Sequence, residues 1–331
     1  MRYFCTYFDE NFISNGRALI YSIEKYHKSF HIYVCAMSEK AEKILKNLNL
    51  SNLTIVNKIQ LEKYEKKLRP LKQKRSRIEY YFTCTPILIS YLLKNHNLPY
   101  LEYIDADMFF FSSSKKVFQN LQNASVAITP HRFARTKDIH EKYGRFNVGW
   151  MFFRNDKSGW KCLNWWSSQC LKWCFDRIEG KKYADQKYLD EFPKKFSKVA
   201  SISINGFNEA PWNVDPKKVI IKNGNIYVSR SKLILFHFSG LKRIFWRIYD
   251  PCWSDYKIIP THNLVCLIYR KYLNTLLKYQ KESAFKKNIR KETSATELFK
   301  TKNIISALNE VRKRLQKNIY IFAPMFGTKK A

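Results

Sequence analysis

The stretch Pro99-Tyr-Leu-Glu-Tyr-Ile-Asp-Ala-Asp-Met-Phe-Phe-Phe111 constrains this chain more than any other. Tyr100, Leu101, Tyr103 and Ile104 favour a packed pleated surface and Asp105 and Asp107 do not, so the segment reads as a buried strand that ends at two carboxylates. Side chains at i and i+2 of an extended segment point the same way, which lets Asp105 and Asp107 converge on one cation past the small Ala106. Ligands of open α/β sheets gather outside the carboxyl ends of strands, where this pair would stand. An Asp-x-Asp after apolar residues also suits a solvated turn, so the metal reading needs support from elsewhere in the chain.

The 331 residues, 45% apolar and 16% aromatic, suffice for one large core or two modest ones. Sixty Lys and Arg against 27 Asp and Glu leave a net charge of +33, which attracts polyanions, nucleotide phosphates or an anionic membrane surface. Met1 to Asp9 is interrupted by charge too soon for a secretory signal, and no apolar run reaches the length of a membrane span. The expectation is a cytoplasmic protein, free or peripheral on the inner face of the plasma membrane. Eight cysteines without C-x-x-C spacing read as free thiols, and Cys162, Cys170 and Cys174 on one helix face read as core rather than as zinc ligands.

From the start the pattern alternates: strand Arg2–Phe8, helix Gly16–Tyr26, strand Ile32–Ala36, helix Glu39–Leu48, strand Leu53–Ile59, the rhythm of a parallel sheet. No G-x-G-x-x-G or G-K-[ST] follows the first strand, so a nucleotide here is held by other means. Thr6, Tyr7 and Asp9 at that strand end suit a base and ribose, or simply finish the strand and cap the next helix. Lys72, Lys74, Arg75 and Arg77 precede an apolar helix over Glu79–Leu93 and either fold over a diphosphate or face solvent. Further on come a short helix Lys115–Leu121, strands Ser125–Thr129 and Phe146–Phe153, and an aromatic helix Gly159–Arg177. Asn147 and Gly149 open the second of those strands, where glycine permits close approach or marks a bulge. Asp185 and Gln186 begin a short helix, Trp212 offers a face to a sugar ring, and the strand Leu233–Gly240 carries His237.

Taken in order, Asp105-Ala-Asp107, Asn147-Val-Gly149, Asp185-Gln186, Trp212-Asn213 and His237-Phe-Ser-Gly240 resemble the GT-A nucleotide-sugar glycosyltransferases. The likeness is closest to glycosyltransferase family eight, which includes glycogenins and bacterial lipooligosaccharide galactosyltransferases, and it spans Arg2 to Arg243. It implies an α/β fold of the Rossmann-like GT-A class: a mixed, mainly parallel sheet flanked by helices over residues 1–243, then a basic, mainly helical extension over 244–331. It further implies that Asp105, Asp107 and His237 ligate a divalent cation on the donor diphosphate. Lys242 or Arg243 stands where the family has its phosphate-binding lysine, and Arg75 is the substitute for an arginine that Tyr81 to Pro86 lacks. Asn147, grouped with the donor-binding residues, matches a position lining the sugar and acceptor region, Asp185 and Gln186 match those beside the reacting sugar carbon, and Trp212 and Asn213 belong to the sugar and acceptor region.

Two carboxylates and one imidazole suit Mn²⁺ first and Mg²⁺ second, rather than zinc or copper. The resemblance implies a UDP-linked hexose as donor, a glycan or lipid-linked glycan as acceptor, retention of configuration, and a place in lipopolysaccharide or other surface-glycan synthesis. The loop from His131 to Arg145 is the expected cover against water. In the tail, Leu264 to Lys278 is a basic amphipathic helix, continued by Lys286, Lys287, Arg290 and Lys291, with a last helix over Ile304–Leu315. It either lies on an anionic membrane surface or packs on the catalytic domain. Two other classes remain: a basic nucleic-acid-binding protein, for which no RNP, zinc-finger or repeat signature is present and no specific nucleic acid is expected, and a metal-dependent phosphodiesterase, which would need ligands for a second ion.

Overall fold

The computed structural model describes residues 1–245, 248–284 and 321–322. The chain opens with β1 (Arg2–Phe8), α1 (Ile13–Tyr26), β2 (Phe30–Ala36), α2 (Glu39–Lys46) and β3 (Leu53–Asn57), the predicted alternation. The basic stretch after β3, which periodicity leaves unassigned, folds as α3 (Lys58–Tyr64) and α4 (Leu68–Lys74). Side chains at the turns fix where helices begin. Ser38 accepts from Ala41 N at 3.1 Å, and Asn57 with Gln60 closes a capping box on α3. A second box, Ser76 with Glu79, starts α5 (Arg77–Asn95) two residues earlier than the apolar pattern indicates.

Next come β4 (Tyr100–Ile104), β5 (Met108–Phe110), α6 (Lys115–Gln119), β6 (Val126–Pro130), α7 (Lys137–His140), β7 (Phe146–Arg154), α8 (Lys157–Lys172), α9 (Phe192–Lys195) and β8 (Val199–Ser201). Seven strands make one sheet in the order β3-β2-β1-β4-β7-β6-β8, in which β7 alone runs antiparallel to its neighbours. Both faces are buried, as the period of β7 requires. Met151 and Phe153 enter a core with Leu88, Leu92 and Trp166 beneath α5 and α8, while Trp150 and Phe152 enter one with Leu19, Ile23 and Val34 beneath α1. Each such side chain contributes about 1.5–3 kcal/mol of burial. Cys162, Cys170 and Cys174 are fully buried free thiols in the first core. The aromatic helix stops at Lys172, five residues short of the expected Arg177, because Trp173 turns to extended backbone.

After β4 the chain leaves the main sheet, and β5 pairs antiparallel with β12 (Leu235–His237). Before β12 lies a small sheet of β9 (Val219–Lys222), β10 (Asn225–Val228) and β11 (Ser231–Lys232); after it come β13 (Lys242–Phe245), β14 (Ile248–Asp250), a π-helical stretch Leu264–Tyr269, α10 (Arg270–Ala284) and β15 (Ile321–Phe322).

The expected division at residue 243 falls inside the β13–β14 hairpin. Leu264, Tyr269, Tyr272, Leu273, Leu276 and Leu277 share a core with Phe109, Phe111, Phe236 and Phe238, and Tyr272 stacks on Phe238 with centroids 3.8 Å apart. The apolar face of the amphipathic helix is therefore used up on the core behind β5 and β12, while Arg270 and Lys278 face solvent. Lys286, Lys287, Arg290, Lys291 and the helix expected over Ile304–Leu315 lie outside the described residues. Among the described residues no helix is long and apolar enough to cross a membrane.

Candidate active site

A cleft of about 780 Å³ opens at the carboxyl ends of β1 and β4, a size suited to a small-molecule ligand. Asp105 follows β4 directly, and its N–H donates to Gly149 O at 2.8 Å, which fixes the strand end against β7. The β5–β12 register sets His237 opposite Met108, and Phe238 N donates to Asp107 O at 3.0 Å. That ladder carries the imidazole to the acidic pair. His237 Nε2 lies 3.1 Å from Asp107 Oδ1 and 3.8 Å from Asp105 Oδ2, and one ligand atom from each of the three falls within 4.8 Å of the others.

The imidazole has a seat made for it. A Cβ on Gly149 would come within 2.7 Å of His237 Cε1 and Nδ1 and 2.6 Å of Asn147 Oδ1, so only glycine admits the ring here. Trp212 closes the other side edge-on, 5.3 Å between centroids at 80°. Burial pulls the His237 pKa down, but Asp107 and Asp105 outweigh it and raise it; burial raises Asp105, with Asp107 adding to the rise and His237 opposing it. Two hard carboxylates and one imidazole, convergent and partly buried, fit a Mn²⁺ or Mg²⁺ ion.

Asp185 stands in the same wall, 3% exposed. Trp166 Nε1 donates to its carbonyl at 2.9 Å, and Ala184 before it takes φ 46°, a left-handed conformation that costs a non-glycine residue about 1 kcal/mol or more. Burial drives its pKa up to about 7, with Asp105 adding to the rise and Thr85 opposing it. Gln186 bridges two elements: its Nε2 donates to Tyr143 O at 3.1 Å and its Oε1 accepts from Asn147 Nδ2 at 3.4 Å. Asn147 Oδ1 in turn accepts from Gly149 N at 2.9 Å and from Asn208 Nδ2 at 3.4 Å.

The segment from His131 to Arg145 borders the cleft through His131, Phe133, His140 and Tyr143. Arg132 ties its start down by bonding the carbonyls of Ile204, Phe207 and Asn208 and pairing with Glu209 at 3.2 Å, and Arg135 bonds the carbonyls of Pro211, Val214 and Tyr256. Arg145 N at its end donates to Asp190 Oδ1 at 2.8 Å.

The structure brings together Asp105, Asp107, His237, Asp185, Gln186, Asn147, Tyr7, Asp9 and Trp212 in one cleft wall. Tyr7 OH lies 3.2 Å from Thr85 Oγ1; Asp9 accepts from Asn11 N, the capping role, and also from Tyr81 OH at 3.1 Å. Thr6 is fully buried and stands outside that wall. Arg75 turns inward: it bonds Leu171 O at 3.0 Å and the Thr83 hydroxyl, beside the Phe175 ring, and the arginines that line the cleft are Arg77, 3.5 Å from Asp9, and Arg177. Lys242 and Arg243 sit exposed on β13 and do not line the cleft, and Arg243 bonds Gln280. Trp212 is 3% exposed and braces His237 rather than presenting an open face, and Asn213 Nδ2 is taken up by the carbonyls of His131 and Asn208. Sequence reasoning missed Tyr103, Thr85 and Asn208; for Tyr103 the signal is its alternate position on the strand of Asp105.

No protein-family model matches the chain. The uncharacterized protein YfnD of Bacillus subtilis (strain 168) is 29% identical over 289 residues, 86% of this chain and 92% of that protein. The uncharacterized protein YfnF of the same organism is 31% identical over 248 residues, 72% of this chain and 81% of that protein. Among solved structures, the galactosyltransferase LgtC in complex with donor and acceptor sugar analogs matches 83% of this chain and 95% of its own at a TM-score of 0.53 and 14% identity, a likeness of fold. The chain belongs to the same family as YfnF and has the GT-A fold, that of nucleotide-sugar glycosyltransferases resembling family eight.

Proposed function

We propose that the protein is a metal-dependent glycosyltransferase that moves a hexose from a UDP-sugar to a glycan or lipid-linked glycan acceptor, with retention, in the synthesis of lipopolysaccharide or another bacterial surface glycan. The strongest support is the meeting of Asp105, Asp107 and His237 within 4.8 Å of one another in a cleft that also presents Asp185. Mn²⁺ is the expected ion and Mg²⁺ the alternative. A cation bound there supplies Lewis-acid neutralisation of the charge on the leaving diphosphate.

The chain's own residues do the rest. Tyr7 and Asp9 at the end of β1 hold the nucleoside part of the donor. Asp185 opposes the positive charge that grows on the sugar carbon as its bond to the diphosphate stretches, and it does so only when ionised. Gln186 and Asn147, bonded to each other, fix the sugar and anchor the cover at Tyr143. Water is kept out by the His131–Arg145 segment. The basic charge favours an anionic partner such as the inner face of the plasma membrane, and the protein works in the cytoplasm, free or peripheral on that face.

A thermal-shift panel of nucleotide sugars with and without Mn²⁺ tests this, since a ligand bound only to the native state raises its melting temperature. A UDP-sugar should stabilise the protein only when Mn²⁺ is present, and Asp107→Asn should abolish the effect; stabilisation indifferent to both would reject the reading. The phosphodiesterase alternative would need a second group of ligands, and among the described residues Asp105, Asp107 and His237 are the one cluster of three or more.

A further inference from the structure

Tyr103 stands two residues before Asp105 on the same face of the extended chain, so its ring runs beside the carboxylate. Its hydroxyl donates to Asp105 Oδ1 at 2.6 Å, the short distance of a hydrogen bond to a charged oxygen. The phenol is 2% exposed and packed in the core beneath α5, with the Tyr7 ring 5.9 Å away. The other oxygen, Oδ2, is the one that faces His237 Nε2, at 3.8 Å. Oδ1 is thus committed to a buried donor and Oδ2 to the space where the three ligand atoms converge.

We propose that Tyr103 is the positioning residue of the cation site: by holding Oδ1 of Asp105 it fixes the carboxylate plane and makes Asp105 a single-oxygen ligand through Oδ2. This rests on the reading of Asp105, Asp107 and His237 as a cation site and adds to it the group that orients the first of them. A bond behind a metal ligand commonly sets affinity by 10–100-fold.

The test is Mn²⁺ titration of the full chain without donor, read by the loss of the free-ion electron paramagnetic resonance signal. Tyr103→Phe keeps the ring in the core and removes only the hydroxyl, and Tyr100→Phe, whose hydroxyl bonds Met1 O far from the site, is the matched control. Tyr103→Phe should weaken Mn²⁺ binding roughly 10–100-fold while Tyr100→Phe leaves it alone, with melting temperatures in EDTA showing that both variants are folded. Mn²⁺ binding by Tyr103→Phe that is as tight as or tighter than the parent's, while Asp107→Asn loses it, would overturn the role of Tyr103 and leave the cation site standing. A parent protein that binds no Mn²⁺ would instead overturn the site itself.

Discussion

Replacing Asp185 by asparagine should make the protein more stable and less active, and both effects have one cause. The carboxylate is 3% exposed, and burial lifts its pKa from 3.8 to about 7. Between those values the folded state binds a proton that the unfolded chain releases, so stability is full below about pH 4 and falls as pH rises through about 7. A displacement of that size is worth about 4 kcal/mol at pH 8 and roughly 1.5 kcal/mol at pH 5. Asparagine has the same shape without the charge and escapes that cost. With an unfolding entropy of about 2.1 cal/mol/K per residue, a chain of this length gains about 6 °C from 4 kcal/mol. Calorimetry in EDTA should therefore show Asp185→Asn melting about 6 °C above the parent at pH 8 and about 2 °C above it at pH 5. Under the proposed function, turnover followed as UDP release should fall on the order of 100-fold, the loss expected for a group that opposes transition-state charge. An asparagine variant that is no more stable than the parent at pH 8, or one with full turnover, would refute the account of Asp185 as a buried working charge.

Gly149→Ala drives a methyl group to 2.7 Å from the His237 ring, so it should destabilise the fold by about 1–3 kcal/mol and displace the imidazole. Its sign is Mn²⁺-dependent stabilisation lost in a thermal shift while circular dichroism stays that of the parent; intact metal dependence would contradict the seating of His237. A chain ended after Arg243 loses Leu264, Tyr269, Tyr272 and Leu273 from a shared core, at about 2–5 kcal/mol for each emptied large side chain. It should be recovered unfolded or protease-sensitive, and a protease-resistant 1–243 fragment would show the opposite.

How far the sequence could be read depended on how local each feature is. Asp105 and Asp107 were legible because the strand before them and their alternate spacing are properties of thirteen adjacent residues. His237 was legible only through resemblance, since its place depends on the pairing of β5 with β12, which no local pattern encodes. Arg75 misled because a run of charge says nothing of direction: the chain turns at the Ser76 cap, which leaves Arg77 at the cleft and points Arg75 at Leu171 O. Leu264 to Lys278 has the same periodicity whether its apolar stripe meets lipid or Phe109 and Phe238, and only tertiary structure could choose. Trp212 lines the cleft and Asn213 lies behind it, and in the structure Trp212 braces the imidazole while Asn213 bonds the backbone.

The ladder between β5 and β12 also sets when the protein becomes competent during synthesis. A ribosome that has delivered both aspartates still has more than a hundred residues to add before the histidine emerges, and later ones before α10 covers the phenylalanines behind it. Under the proposed function, chains released early carry the two aspartates without the imidazole, so premature termination should yield inert polypeptide.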